Sequence, residues 1–292
     1  MPCAGPSGAQ AGPACQDQAV RTRIAPTPSG YLHRGNAANA LLTHWWAQSE
    51  EGTVLLRIDD IDAPRVRPEY VDDIHDLLRW IGIAIEVPDG FSSGVQGLHT
   101  RASRIERARA ALRQALAAGM PAYACTCSRS LLGGIALGGC PGGCRTAGHE
   151  LEPGTSALRI AVPEGTRVAV DGQTVDLADV MGDFVIWRRD DLPAYQWISV
   201  VEDTELQVTH ILRGVDLLES SAAQTHLARF LPDPRFLDTQ IRHHGLVVDD
   251  QGVKLAKSQI GAETGLPRTE QVRLDVQRIA REWGDLIGLP TH

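Results

Sequence analysis

Residues 53–58 read TVLLRI, a nearly unbroken apolar run of strand length. A strand with one face in water alternates polar and apolar residues. A run without alternation needs cover on both faces, which a parallel sheet between helices supplies. The flanking sequence agrees. Residues 21–25 form a short predicted strand, Pro26, Pro28, Ser29 and Gly30 break it into a loop, and residues 36–48 put Ala38, Leu41, Leu42, Trp45 and Trp46 on one broad helical face. Strand, Gly/Pro loop, helix and buried strand together specify a parallel α/β domain.

Further along, helices are predicted over residues 68–82, with Tyr70, Ile74, Leu77, Leu78 and Ile81 at helical spacing, and over 101–118. From about Met120 the texture changes. The stretch LGGIALGGCPGGCR is too rich in glycine for a regular element, so something other than a core must order it. Residues 157–188 alternate in short runs (ALRIAV, RVAV, FVIWRR), as a small antiparallel insertion would. Apolar runs return at 197–201 and 208–212, followed by a helix over 221–230, a strand over 240–248 and a last helix over 270–287. The expected organisation is a disordered tail over 1–20, a first half of the α/β domain over 21–118, an insertion over 119–190, a second half over 191–260 and a helical segment over 261–292.

Composition excludes several classes. Hydrophobic residues make up 43% and charged residues 22%, which is ordinary globular usage and argues against wholesale disorder, collagen-like structure or a coiled coil. No stretch approaches the roughly 18 apolar residues of a membrane span. The opening MPCAGPSGAQAGPACQDQ lacks the basic and apolar regions of a signal peptide, so the expected location is the cytoplasm. Six cysteines in that setting point to a metal site or free thiols rather than a disulfide framework. A net charge of -8 argues against non-specific coating of nucleic acid, while leaving room for a local basic surface.

Four groups of residues can carry chemistry. In residues 23–36, RIAPTPSGYLHRGN, a glycine-containing loop runs into a helix, with His33 and Asn36 at the helix entrance. Backbone N–H groups there suit a nucleotide phosphate, although a plain structural turn fits the same pattern. Cys125-x-Cys127, twelve residues, then Cys140-x3-Cys144 can close a tetrahedral zinc site, and four protein ligands leave no open catalytic position. Asp59, Asp60 and Asp62 follow the carboxyl end of a buried strand. They can hold a divalent metal, meet an amino group or cap the next segment. Finally, the chain has only two lysines, Lys254 and Lys257, three apart in GVKLAKSQ, where a compact mobile ammonium can serve a transferring phosphate.

Together these motifs resemble the class I aminoacyl-tRNA synthetases. LHRGN is similar to their HIGH motif, and Lys254-Leu255-Ala256-Lys257-Ser258 to their KMSKS loop, in the same order and at a similar separation. RIAPTPSG, LRIDDID, YACTCS, AYQ and LRGVDLL narrow the resemblance to the glutamyl branch, from Arg21 to Ser258. Only 34 residues follow Ser258, so the likeness is to the short members of that branch, which lack an anticodon-binding domain. The resemblance implies a Rossmann-like catalytic sheet with a zinc-containing α+β insertion and a short helical C-terminus. It also implies a ligase that activates glutamate with ATP, Mg2+ accompanying the nucleotide, without needing tRNA for that step. The acceptor it implies is the queuosine base in the anticodon loop of tRNA(Asp), and the expected state is a monomer.

Carried over by residue, the resemblance assigns Arg23, Ala25, Thr27, Asp59, Tyr195 and Arg213 to the glutamate pocket, and His33, Gly35, Asn36, Lys257 and Ser258 to ATP, with Lys254 in support. His33, Asn36, Lys254 and Lys257 are then the catalytic set. Two arginines suit the acidic groups of the substrate. Read without the resemblance, Arg213 fits a surface ion pair with Asp216, and Tyr195 a core aromatic. Three positions depart from the family: Asp59 where glutamate is usual, Asn36 for the last His of HIGH, and Cys140 where the metal site usually has Tyr. A non-tRNA acceptor, or a non-catalytic tRNA-binding role, are the alternatives.

Overall fold

The computed structural model describes residues 19–61, 64, 66–87, 101–127, 140, 143–247 and 265–291. The first part of the chain forms β1 (Arg21–Ile24), α1 (Arg34–Ser49), β2 (Thr53–Leu56), α2 (Pro68–Trp80) and α3 (Arg101–Ala117). An antiparallel region follows, comprising β3 (Ala122–Cys125), α4 (Cys144–Ala147), β4 (Ala157–Ile160), β5 (Arg167–Val170), β6 (Gln173–Asp176), α5 (Leu177–Val180) and β7 (Val185–Trp187). The chain then returns through α6 (Tyr195–Glu205), β8 (His210–Gly214), α7 (Leu218–Ala228), β9 (Gln240–His244) and α8 (Glu270–Ile287).

The main sheet has the order β2-β1-β8-β9, with every pairing parallel. Strands far apart in sequence thus sit side by side, and the antiparallel region leaves and re-enters between them. That region pairs β3, β4 and β7 in one sheet and β5 with β6 in a hairpin. The expected strand over 53–58 stops at Leu56. The Arg57 and Asp59 amides still bond the carbonyls of Ile24 and Pro26, both at 3.0 Å, while the Arg57 side chain turns to buried acids. The apolar run at 197–201 is helical, inside α6, and from Trp197 to Thr204 every residue of that helix is buried.

Helix α1 is buried almost all round because it lies between the sheet and α8. Helix α8 presents Val272, Val276, Ile279, Ala280 and Trp283 at helical spacing, and this stripe joins Leu41, Leu42 and Trp45 in one apolar core. Another core joins α3, α6 and the antiparallel region. Among the described residues no helix is long and apolar enough to cross a membrane.

Candidate active site

In the order β2-β1-β8-β9 the winding reverses between β1 and β8, the place where open α/β sheets bind ligands beyond the carboxyl ends of their strands. A cleft of about 490 Å³ lies there, bounded by Arg23, Ile24, Ala25 and Pro26 from β1 onward and Leu212, Arg213 and Gly214 on β8. Its walls also carry His33, Gly35 and Asn36 of the α1 entrance, Tyr195 at the start of α6, and Arg57. Leu32, Leu246, Val247 and Trp283 supply apolar wall, and Trp283 stacks on His244 with ring centroids 3.8 Å apart.

The His33 side chain closes the N-terminus of α1. Its Nδ1 accepts from the amides of Gly35 (3.1 Å) and Asn36 (3.3 Å), while Asn36 Oδ1 accepts from the His33 amide (3.1 Å). With Nδ1 acting as acceptor, neutral His33 carries its proton on Nε2. The pair thus fixes the helix entrance and sets both side chains at an anion-favouring helix end. Gly35 has little room, since a Cβ there would sit 3.0 Å from His33 Cε1 and 3.1 Å from Val247 Cγ2.

The other end of the cleft is cationic. Arg23, Arg57 and Arg213 all line it, and each is buried, with 7%, 2% and 5% exposure. Asp203 Oδ1 accepts from Arg57 Nη1 at 2.6 Å and from Arg23 Nε at 3.4 Å. Glu202 joins Arg57 (3.4 Å) to Arg104 (2.5 Å), and Asp60 meets Arg104 at 2.6 Å. Burial opposes the Asp203 charge, yet Arg57, Arg23 and Arg213 hold its carboxyl below the usual carboxylate range. Arg213 is less well matched. Its Nη1 donates to Gln224 Oε1 (2.8 Å) and Ser221 Oγ (3.3 Å), but its buried Nη2 has no hydrogen-bond partner among the described residues. Burial, aided by the neighbouring Arg23 and Arg57 charges, pulls its pKa down to about 10. A guanidinium short of counter-charge beside an open cleft is suited to an incoming carboxylate.

Of the residues expected in the pocket, Arg23, Ala25, Tyr195 and Arg213 share this wall, as do His33, Gly35 and Asn36. Tyr195 is 42% exposed and is not a core aromatic. Thr27 is exposed and absent from the wall. Asp59 is also off the wall. It faces the Arg57–Glu202–Arg104 cluster, where burial pushes its pKa up to about 6 against the pull of Arg57. Asp60 pairs with Arg104 at 2.6 Å, and Asp59 lies close enough to Arg57 and Arg104 to feel both charges. Asp62, Lys254, Lys257 and Ser258 lie outside the described residues, as do Cys3 and Cys15.

Arg57, Arg104, Glu202 and Asp203 were not anticipated as parts of the site. A signal was available. Glu202 and Asp203 adjoin in an otherwise apolar stretch, WISVVED, and carboxylates in a helix buried on every side need cationic partners.

The four cysteines converge outside the cleft. Cys125 ends β3, Cys127 follows it, and Cys144 opens α4 after Gly143 in the left-handed region (φ 69°). All four Sγ atoms lie within 4.8 Å of one another, with Cys127–Cys140 at 3.3 Å and Cys125–Cys140 and Cys127–Cys144 at 3.7 Å. A tetrahedral zinc with Zn–S of about 2.3 Å would space its sulfurs by roughly 3.8 Å, so the donor set fits that ion. Asp183 braces the cluster by accepting from Tyr123 Oη (2.7 Å), Arg145 Nε (3.0 Å) and the Val162 amide (2.8 Å).

Residues 19–134 and 146–263 match the catalytic domain of the class I tRNA synthetases (E and Q), and the chain belongs to that family. Among named relatives, it is 38% identical to a glutamyl-Q tRNA(Asp) synthetase of Burkholderia mallei, over 83% of this chain and 81% of that one. It is 40% identical to a glutamyl-Q tRNA(Asp) synthetase of Pseudomonas aeruginosa, over 81% of this chain and 76% of that one. The fold is similar to that of a glutamate-tRNA synthetase from Elizabethkingia anophelis, with a TM-score of 0.68 and 24% identity. That likeness covers 86% of this chain but 55% of the other, so the chain spans about half the length of that synthetase.

Proposed function

We propose that this protein activates glutamate with ATP and passes the glutamyl group to the queuosine base in the anticodon loop of tRNA(Asp), in the cytoplasm. The observation that carries the reading is Arg213 Nη2, a buried donor with no partner among the described residues, on the wall of a cleft it shares with Arg23 and Arg57. Two kinds of carboxylate must be met: one that reacts and one that is recognised. The reacting α-carboxylate faces the nucleotide, so the surplus of guanidinium suits a side-chain carboxylate.

In this reading a glutamate α-carboxylate oxygen attacks the α-phosphorus of ATP and pyrophosphate leaves. The queuosine acceptor then takes the acyl group and AMP departs. His33 and Asn36 donate to the triphosphate at the α1 entrance, Gly35 lets it approach, and Lys257, with Lys254 and Ser258, follows the charge developing on the transferring phosphate. Mg2+ accompanies the nucleotide. Catalysis is positioning and charge stabilisation, with no covalent enzyme intermediate. Tyr195 closes the side of the amino-acid pocket, next to Ala25. Asp59, one methylene shorter than the usual glutamate and set back from the wall, acts on the α-ammonium through water, and Thr27 acts at longer range. Mass spectrometry of tRNA(Asp) incubated with ATP and isotope-labelled glutamate tests the acceptor: a glutamyl adduct on the queuosine nucleotide supports the reading, and label on another molecule alone defeats it.

Cys125, Cys127, Cys140 and Cys144 would hold a zinc ion, whose contribution is to order the glycine-rich insertion rather than to take part in the reaction. Metal analysis of purified protein is expected to give one zinc per chain. Cys144→Ser is expected to expose the insertion to proteolysis while the parallel sheet stays folded. Four reactive thiols and no bound metal would remove the assignment.

A further inference from the structure

Arg213 Nη1 is held by a chain of side chains that begins outside the parallel sheet. Asp171, at the tip of the β5–β6 hairpin, accepts from the His243 amide at 2.8 Å through Oδ2, which is also 3.0 Å from His243 Nδ1. His243 Nε2 is 2.8 Å from Ser221 Oγ, and Ser221 Oγ is 3.3 Å from Arg213 Nη1. His243, Ser221 and Arg213 are all buried.

The polarity of this chain is set from its acidic end. A carboxylate at Nδ1 calls for a donor there, which leaves Nε2 of the neutral imidazole as an acceptor. The Ser221 hydroxyl then donates to Nε2, and its oxygen accepts from Arg213 Nη1–H. The same hydroxyl lies 2.9 Å from Leu217 O and donates there as well, so its one proton is divided between that carbonyl and His243 Nε2. The turn itself does not demand the acid. Asp171 and Gly172, at φ 51° and 69°, have the backbone of an Asp-Gly hairpin turn, which asparagine supports equally well. Nor is the set a hydrolytic triad. Ser221 is fully buried, does not line the cleft, and its oxygen accepts from a guanidinium.

We propose that Asp171, His243 and Ser221 are positioning residues that orient Arg213 toward the cleft, so that the hairpin of the insertion takes part in choosing a carboxylate over an amide substrate. The proposal rests on reading Arg213 as the group that binds the side-chain carboxylate. Without an acceptor at Nε2 the Ser221 proton goes wholly to Leu217 O, which turns the lone pair that meets Nη1; Gln224 then carries most of the hold, and the guanidinium can swing, weakening the bidentate match that separates glutamate from glutamine.

Two substitutions at one position separate a relay from simple docking of the hairpin. His243→Gln places an amide oxygen near the Nε2 position and keeps an acceptor for Ser221, whereas His243→Asn keeps a donor for Asp171 and loses Ser221. In ATP/pyrophosphate exchange, Ser221→Ala and His243→Asn are expected to raise the KM for glutamate about tenfold, with kcat within about threefold. The same two variants should lower the glutamate-to-glutamine ratio of kcat/KM about tenfold, while His243→Gln stays within about threefold of wild type. Melting curves accompany each variant, and Ser221→Ala carries the test should either His243 variant misfold. The reverse order, with His243→Asn mild and His243→Gln severe, means that His243 only docks the hairpin and overturns the proposal. If Arg213→Ala collapses discrimination but Ser221→Ala and His243→Asn do not, the relay falls while the pocket stands. If Arg213→Ala leaves the KM for glutamate unchanged, both fall.

Discussion

Asp203→Ala is expected to destabilise the protein by about 3–5 kcal/mol and to lower its melting temperature by on the order of 10 °C. Asp203 has no exposed surface, and its Oδ1 accepts from both Arg57 and Arg23. The cost comes chiefly from what remains: Arg57, 2% exposed, loses its 2.6 Å partner and keeps Glu202 at 3.4 Å with Asp59 nearby, and Arg23 loses its buried acid. Asp203→Asn, which keeps the shape and one acceptor but not the charge, is expected to cost about half as much. The double substitution Asp203→Leu with Arg57→Leu should recover part of the loss, since it removes one of the two cations that Asp203→Ala strands and leaves Arg23 as the other. Exposed Asp76, paired with Arg79 at 2.7 Å, is the control, and Asp76→Ala should change stability by less than about 0.5 kcal/mol. Thermal or urea unfolding measures all four. A loss at Asp203 no larger than at Asp76 would show that the buried acid is not what holds the arginines in place.

Arg213→Ala is expected to raise the KM for glutamate by on the order of 10²-fold while narrowing its advantage over glutamine. The guanidinium offers a buried cation to a carboxylate; to an amide it offers a desolvated donor facing further N–H groups. Removing it removes the reason to prefer the acid, so the KM for glutamine should move little. Arg213→Lys should restore the charge but not the planar two-point contact, and recover only part of the discrimination. Steady-state exchange kinetics with both amino acids give the answer. A variant that loses kcat at unchanged KM would place Arg213 in the chemical step instead of in recognition.

These two residues also mark where the sequence was legible. Arg213 was readable through its setting in LRGVDLL, and the elements that carry it followed from periodicity: α8 spans Glu270–Ile287, as its apolar spacing predicts, and β1 and β2 lie parallel and adjacent. The cysteine pairs likewise announced their convergence through spacing. Asp203 was not readable in the same way. Its partners Arg23 and Arg57 lie 180 and 146 residues away, and nothing local in an amphipathic pattern says which buried acid meets which buried base. The relay from Asp171 to Arg213 was hidden for the same reason, since it depends on the β5–β6 hairpin folding back onto β9 across 72 residues of chain. Periodicity reports which face is covered; it does not report what covers it.

The most direct test of glutamate activation in this cleft is ATP/pyrophosphate exchange measured across the twenty amino acids in the absence of any RNA. The account predicts exchange with glutamate, strong rejection of glutamine, and no dependence on added tRNA. Preference for a neutral or basic amino acid, or exchange that stays at background until tRNA is supplied, would contradict it.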